Sequence, residues 1–401
     1  MKQCPGDRFP DRVRLYRAGT CFITVNQKYC HKTSEAPDRV MKITTFSAII
    51  LVIILLAAGF VALSVDNNYR PLSDKPAAIS TPPLRLVFVG DVLLSRTIGD
   101  IIAREGPEFP FKHVHDVLSQ GDITMGNLES TLTDSSTAVC DKDEHYCFKA
   151  PPESVNGLVY AGFDIMTVAN NHALDYGPAV MNDTLSHLTT AGIRYEGARQ
   201  EPGDNVQKPV IFERAGVKVA YLGFNDVWNY TNASGYLSNK YSPSDYPRPW
   251  NASEETVIRS VKLARSQADI VVVNFHFGKE YNFTHSMRQE ELSHLAADAG
   301  ADIIVGHHPH VIQDLEIYHG SVIAYSLGNF IFDAKGTGAR EGGLLTILID
   351  PESKQVLEYS FDKVYADPEF QPRPGFSGRM ISYYERVVAW SLARIRAILP
   401  V

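Results

Sequence analysis

Six apolar stretches along the chain break off in polar residues of related chemistry. LRLVFVGD (84–91) ends in Asp91, DITMGNLES (122–130) reaches Glu129, and FDIMTVANNH (163–172) closes on Asn170, Asn171 and His172. DIVVVNFHFGKE (269–280) carries His276 and Glu280, DIIVGHHPH (302–310) carries His307, His308 and His310, and SVIAYSLGNFIFD (321–333) passes through Asn329. Short runs rich in β-branched residues predict buried strands. Between them, residues 177–191, 252–267 and 284–299 repeat apolar positions at helical spacing. Strands alternating with helices predict an α/β fold whose sheet is covered on both faces. Two strand pairs complicate a single sheet: PVIFERAGVKVAYLGF (209–224), turning at Ala215-Gly216, and residues 342–361. A sandwich of two sheets accommodates them better.

Upstream the pattern changes. Residues 43–65, ITTFSAIILVIILLAAGFVALSV, carry no charge. A helix of that length crosses a hydrocarbon layer of about 30 Å, so one transmembrane helix is expected. Residues 1–42 hold nine Lys/Arg against four Asp/Glu, although the whole chain has a net charge of −8. Positive charge before the span predicts a single-pass cell-membrane protein with its large domain outside the cytoplasm. A cleaved signal peptide is the competing reading, but its apolar core usually runs only about 7–15 residues. Met41-Lys42 directly precedes the span, so residues 1–42 read either as a cytoplasmic tail or, up to residue 40, as an extension from a start assigned too far upstream. The polar, Pro-rich residues 66–83 read as a linker. The main domain is expected over 84–365. Residues 366–401 read as an extension whose stretch 379–399 repeats apolar residues on one helix face.

At 44% apolar and 21% charged residues, the composition is that of an ordinary globular protein. The acidic balance beyond the span offers no basic stripe for nucleic acid. There is no Walker A pattern, and no G-x-S-x-G stands as a nucleophile elbow. Cys140 and Cys147, with six residues between them, suggest a small disulfide loop in an oxidising compartment; two free thiols are the alternative.

The polar strand ends change the picture most. In α/β folds the C-terminal ends of strands share one edge, where ligands bind. Asp91, Glu129, Asn171, His172, His276 and the 307–310 cluster are therefore expected together. A mixed oxygen and nitrogen set suits Mn, Fe or Zn better than Mg, which prefers oxygen, or Cu(I), which prefers sulfur. The donors outnumber the needs of one tetrahedral ion. Two ions would need a bridging carboxylate, for which Glu129 is the candidate.

The segments FVGDVLLS, GNLESTLT, ANNHALDYG, FHFGKEY, GHHPHVIQ and SLGNFIFD, in this order, resemble the CapA (poly-γ-glutamate capsule synthesis) family, over about residues 84–335. That family is similar to the calcineurin-like metallophosphoesterases. The resemblance implies a metallophosphoesterase-like αββα sandwich. It implies metal ligation by Asp91, Glu129, Asn171, His276, His308 and His310, with His172 as the phosphate-contacting general acid. His307 is then the lesser ligand candidate. The usual D-x-H motif reads Asp91-Val92-Leu93, so one His is missing, and Glu129 stands where an Asp is usual. One ion or two would fit.

Plainer roles compete at several positions. Asp91 could cap the following helix. Asn170 and Asp175 read as turn-shaping residues. Glu280 either orients His276 or forms a surface ion pair, and Asn329 is a turn residue or a site donor. Two functions from different classes follow. One is a membrane-anchored, metal-dependent phosphoesterase-like protein in synthesis or export of an anionic surface polymer. The other is a non-catalytic accessory subunit that binds the polymer, or its synthase or export subunits, and keeps a degenerate metal site.

Overall fold

Alternation along the strands sorts the chain into layers. In the strand Leu84–Val92, Leu84, Leu86 and Phe88 face one core while Val87 and Val89 face another. The same division recurs in Val217–Asn225, where Val219 and Tyr221 point one way and Ala220, Leu222 and Phe224 the other. Successive side chains of a strand point to opposite faces, so each strand here is buried on both sides. The computed structural model describes residues 81–136, 138, 144–227, 246–375 and 381–382. The chain divides into Met1–Lys75 and Pro76–Val401, and the described residues all lie in the second unit.

Two mixed sheets form the centre. The first runs in the order Pro372–Gly375, Gln355–Ala366, Glu341–Asp350, Leu84–Val92, Ile123–Leu128, Ile165–Thr167, Arg194–Glu196. From Leu84–Val92 to Arg194–Glu196 its strands are parallel; the hairpin Glu341–Asp350/Gln355–Ala366 adds antiparallel strands. The second sheet runs Leu315–Tyr318, Ser321–Ala324, Ile303–His307, Ile270–His276, Val217–Asn225, Val210–Arg214, parallel in its centre and antiparallel at both edges.

Three apolar clusters define how the sheets stack. The middle one joins Leu86, Phe88 and Met125 of the first sheet to Tyr221, Val272 and Val305 of the second. An outer cluster packs Val87 and Val89 against Ile98, Ile102, Leu158 and Leu185 from the helices Arg96–Glu105, Val155–Ala161 and Pro178–Thr190. The other outer cluster packs Val273 and Phe275 against Val257, Val261 and Leu292 from Glu254–Arg265 and Met287–Ala299. The layers are helix, sheet, sheet, helix. Each fully buried aliphatic or aromatic side chain contributes roughly 1.5–3 kcal/mol, which sets the register of both sheets.

The expected helices 177–191, 252–267 and 284–299 appear at Pro178–Thr190, Glu254–Arg265 and Met287–Ala299. The last begins with a capping box between Ser286 and Gln289. The hairpin turns at Ala215 (φ 50) and Gly216 (φ 76), the two positive φ values of a tight hairpin.

Other expectations are corrected. The stretch 321–333 is not one strand: Ser321–Ala324 belongs to the second sheet, while Asn329–Ile331 pairs with Leu84–Val92 in the first. Gly328 (φ 64) makes the change of direction between them. The expected boundary at 365 falls inside a strand, and Pro372–Gly375 adds another beside it. Ile381–Ser382, inside the expected helix 379–399, pairs as a strand with Tyr359 and Glu358; the rest of that stretch from 383 lies outside the described residues. The expected span 43–65 also lies outside them, and no helix among the described residues is long and apolar enough to cross a membrane.

Candidate metal centre

The parallel strands of both sheets end at a common place. Asp91 is the penultimate residue of its strand, and Glu129 follows the end of Ile123–Leu128. Asn170, Asn171 and His172 follow Ile165–Thr167, while His276 and His307 are the last residues of their strands. Close backbone approach makes room for this. A Cβ on Gly90 would stand 1.9 Å from the carbonyl oxygen of Gly328, so only glycine lets Asn329 pair beside Asp91.

Asn127 sits in the middle of the cluster. Its side-chain amide donates to Asp91 Oδ1 at 2.8 Å and to Glu129 Oε2 at 3.4 Å, and accepts from Asn170 at 3.0 Å. Asn170 also donates to the carbonyl of Leu128 at 2.8 Å, and its Oδ1 accepts from the backbone N–H of His172 at 3.0 Å. It is therefore a positioning residue as well as a turn former. His276 Nε2 lies 2.7 Å from Asn171 Oδ1. His310 Nδ1 lies 3.2 Å from Asp91 Oδ2 and 2.9 Å from Asn329 Oδ1, and its Nε2 is 3.7 Å from Glu129 Oε1. His307 Nδ1 stands 3.5 Å from Asp91 Oδ1. The rings of His276 and His308 are 4.9 Å apart.

The groups are mutually perturbed. Burial pushes Glu129 well above the ordinary carboxylate range, and neighbouring Asp91 adds to it. Burial also works to raise Asp91, but His307 and His310 outweigh it and hold Asp91 well below its usual value. For His310 burial works downward, yet Glu129 and Asp91 raise it to about 9. His276 is driven well down by burial and by His308.

Four buried polar atoms test whether a metal fits. Asp91 Oδ2 and Glu129 Oε1 are buried and accept no well-aligned hydrogen bond, although His310 Nδ1 stands 3.2 Å from the first, and neither ring nitrogen of His307 makes one. Buried polar atoms left so are costly, by roughly 1–3 kcal/mol each or more when charged, and a cation would satisfy them. Asp91, Glu129 and His310 bring ligand atoms within 4.8 Å of one another; Glu280, His308 and His310 do the same. The donor set is oxygen and nitrogen, as a divalent Mn, Fe or Zn ion prefers. Glu280 therefore sits with His308 and His310, a place its sequence context did not reveal. Leu93, at the missing His position, is fully buried in an apolar cluster with Phe148 and Phe332.

His172 is held on two sides. Its Nδ1 lies 2.7 Å from Asp175 Oδ2, and its ring stacks on Phe148 at 3.9 Å with an interplanar angle of 16°. The backbone N–H of Phe148 donates to the same Asp175 oxygen at 2.8 Å. His172 Nε2 is turned toward the cluster, 3.7 Å from Glu129 Oε1. Asp175 thus fixes the ring orientation, and the turn role expected of it was too modest. Cys147, next to Phe148, is disulfide-bonded and buried; its expected partner Cys140 lies outside the described residues.

Backbone strain gathers here too. His308 (φ 95), His310 (φ 57), Tyr281 (φ 58) and Arg96 (φ 54) are non-glycine residues with positive φ, at the cluster or the cavity beside it. Such conformations cost roughly 1–3 kcal/mol each and persist where the surroundings impose them. Asn127, Asp175 and Arg96 escaped sequence reasoning as site residues. Period-two alternation from Glu129 to Asn127 was the one available signal.

Residues 85–334 match the family described as bacterial capsule synthesis protein PGA_cap. The PGA biosynthesis protein CapA of Bacillus subtilis is 35% identical over 325 residues, 80% of this chain and 81% of that protein. The capsule biosynthesis protein CapA of Bacillus anthracis is 34% identical over 279 residues, 69% of this chain and 66% of that protein. Among solved structures, NAD nucleotidase of Haemophilus influenzae overlaps 75% of this chain and 55% of its own, with 12% identity and a TM-score of 0.39.

Proposed function

The chain belongs to the bacterial capsule synthesis protein PGA_cap family, and from that premise and the buried acid–histidine cluster we propose that it is a metal-dependent, phosphoesterase-like protein working in poly-γ-glutamate capsule synthesis. The observation that carries the metal and the chemistry is the pair of buried carboxylates, Asp91 and Glu129, each with an oxygen that accepts no well-aligned hydrogen bond, among His276, His307, His308 and His310. Asp91, Glu129, Asn171, His276, His308 and His310 would hold the ion, with Glu280 and His307 within reach. A divalent ion held there supplies Lewis acidity to a phosphoryl group. With Nδ1 held 2.7 Å from Asp175 Oδ2, the imidazolium form of His172 would present an N–H at Nε2, which would suit it to protonate a leaving oxygen. Phe148 stacks on the imidazole and limits water on that face. The cavity of about 350 Å³, bordered by His172, His310 and Glu280, admits the substrate. We place this domain outside the cytoplasm, tethered by residues 43–65, where a surface polymer and its synthase or export subunits are accessible.

Leu93 favours a second reading. An apolar side chain packs where the phosphoesterase motif has a His, so the protein could instead be an accessory subunit of the synthase that retains a metal without turnover. His172→Ala separates the two. The enzyme reading expects metal content unchanged, hydrolysis of an aryl phosphodiester down by roughly 10²–10⁴, and surface polymer lost. Full metal occupancy without turnover in the wild type, and normal polymer in His172→Ala cells, would leave the accessory role.

A further inference from the structure

The cavity beside the cluster has in its wall a guanidinium that the hydrolytic roles above do not use. Arg96 is the first residue of the helix Arg96–Glu105, and its side chain is only 15% exposed. It pairs with Asp333, whose other oxygen accepts from the backbone N–H of Thr97 at 3.2 Å. Its guanidinium carbon lies 4.7 Å from the centre of the Phe148 ring and 5.3 Å from that of Phe332. Its Nε is buried without a hydrogen-bond partner.

This is an expensive way to hold a cation. Burial removes most of its hydration, one donor is left unused, and the residue takes a positive φ of 54°. Capping the helix does not require any of it, since Asp333 alone meets the Thr97 N–H. What the arrangement does achieve is a fixed planar donor at the cavity wall. Phe148 carries both Arg96 and His172, so an anion bound by Arg96 would lie next to the group that His172 serves. Lys335 lines the same cavity and adds positive charge. Guanidinium groups recognise carboxylate and phosphate through paired, charge-assisted hydrogen bonds.

We infer that Arg96 is a specificity-determining residue that binds a second oxyanion of the substrate, a carboxylate or phosphate other than the group at the metal cluster, by exchanging Asp333 for that oxyanion. This rests on the cluster and its cavity being the substrate site proposed above. A substrate with a single oxyanion could engage either the cluster or Arg96, but not both. A polyanion, with oxyanions repeated along its length, would engage both the cluster and Arg96.

The test uses the purified full-length chain with Mn²⁺ and two probes, a synthetic γ-glutamyl oligomer and inorganic phosphate, with binding read by calorimetry and metal by mass spectrometry. In Arg96→Gln, affinity for at least one probe is expected to fall tenfold or more, with Arg96→Lys intermediate and metal content unchanged. Loss confined to the oligomer identifies a carboxylate; loss confined to phosphate identifies a phosphoryl group. Asp333→Asn keeps an acceptor for Thr97 but frees Arg96, and is expected to bind the same probe as well as wild type or better. If Arg96 only holds the fold, Asp333→Asn and Arg96→Gln weaken binding alike, and the inference is overturned. It is equally overturned if wild type binds neither probe, or if Arg96→Gln binds both normally. A chain that lacks metal yet binds a probe through Arg96 sinks the phosphoesterase reading and leaves this one standing.

Discussion

Replacing Glu196 by Gln should abolish a pH dependence of stability that the wild-type chain carries. Glu196 ends its strand at the seam between the two sheets and is 3% exposed. A Cβ on Gly223, in the facing sheet, would stand 1.7 Å from Glu196 Oε2, so the carboxyl fills the space that glycine leaves. Burial raises its pKa to about 8 from 4.5, against a weaker downward pull from Thr167 and Asn274. Neither neighbour closes a well-formed hydrogen bond, and both carboxyl oxygens stay unbonded. Between pH 4.5 and 8 the folded chain keeps a proton that the unfolded chain has released. Stability from this group is full below about 4.5, falls by up to about 1.4 kcal/mol per pH unit, and is gone above about 8. The whole loss is roughly 3–5 kcal/mol on that arithmetic. Gln stays neutral throughout and offers an N–H to Asn274 Oδ1, which has no hydrogen bond. Urea unfolding of both proteins at pH 5, 6, 7, 8 and 9 measures the difference, and subtraction removes the titration of the metal cluster. Near pH 5 the two should be close. By pH 8 Glu196→Gln should be the more stable by a few kcal/mol. Parallel pH profiles would refute the reasoning, because Glu196 would then ionise as easily folded as unfolded.

Cys147 in the native chain should resist alkylation until reduced. Because it adjoins Phe148, reduction should also loosen His172, lowering activity and removing roughly 2–3 kcal/mol of stability for a loop of the expected size; free labelling of the native thiol would contradict this. Reporter fusions placed after residue 70 should be active only outside the cytoplasm, and a cytoplasmic signal would overturn the charge-based topology.

The strands and their polar ends were legible because burial on both faces leaves an unmistakable β-branched run, and because each run stops where chemistry begins. Asp91, Glu129, His276 and His310 were visible for that reason, and the structure gathers them with Asn171, His307 and His308. The helix Arg96–Glu105 was expected only as the helix that Asp91 could cap; its N-cap is Ser95, and its buried face is the short set Ile98, Ile101 and Ile102. Arg96 was invisible as a site residue because its meaning lies in Asp333, 237 positions away. Asp175 looked like a turn residue because a local Asp usually is one; only the 2.7 Å approach to His172 gives it another role. The split of 321–333 between two sheets was hidden because the sequence is apolar on both sides of Gly328. Pairing partners, unlike strand propensity, are set by residues far along the chain.

The central claim is that Asp91, Glu129 and the surrounding histidines hold a divalent metal. The most direct measurement is metal content by mass spectrometry on the full-length wild type, Asp91→Ala, Glu129→Ala and His308→Ala, each after exposure to Mn, Fe and Zn and extensive dialysis. Wild type is expected to keep one or two ions per chain, and the three variants, if still folded by circular dichroism, to keep markedly fewer. A wild type that retains none of the three metals, or variants that retain as much as wild type, would contradict it.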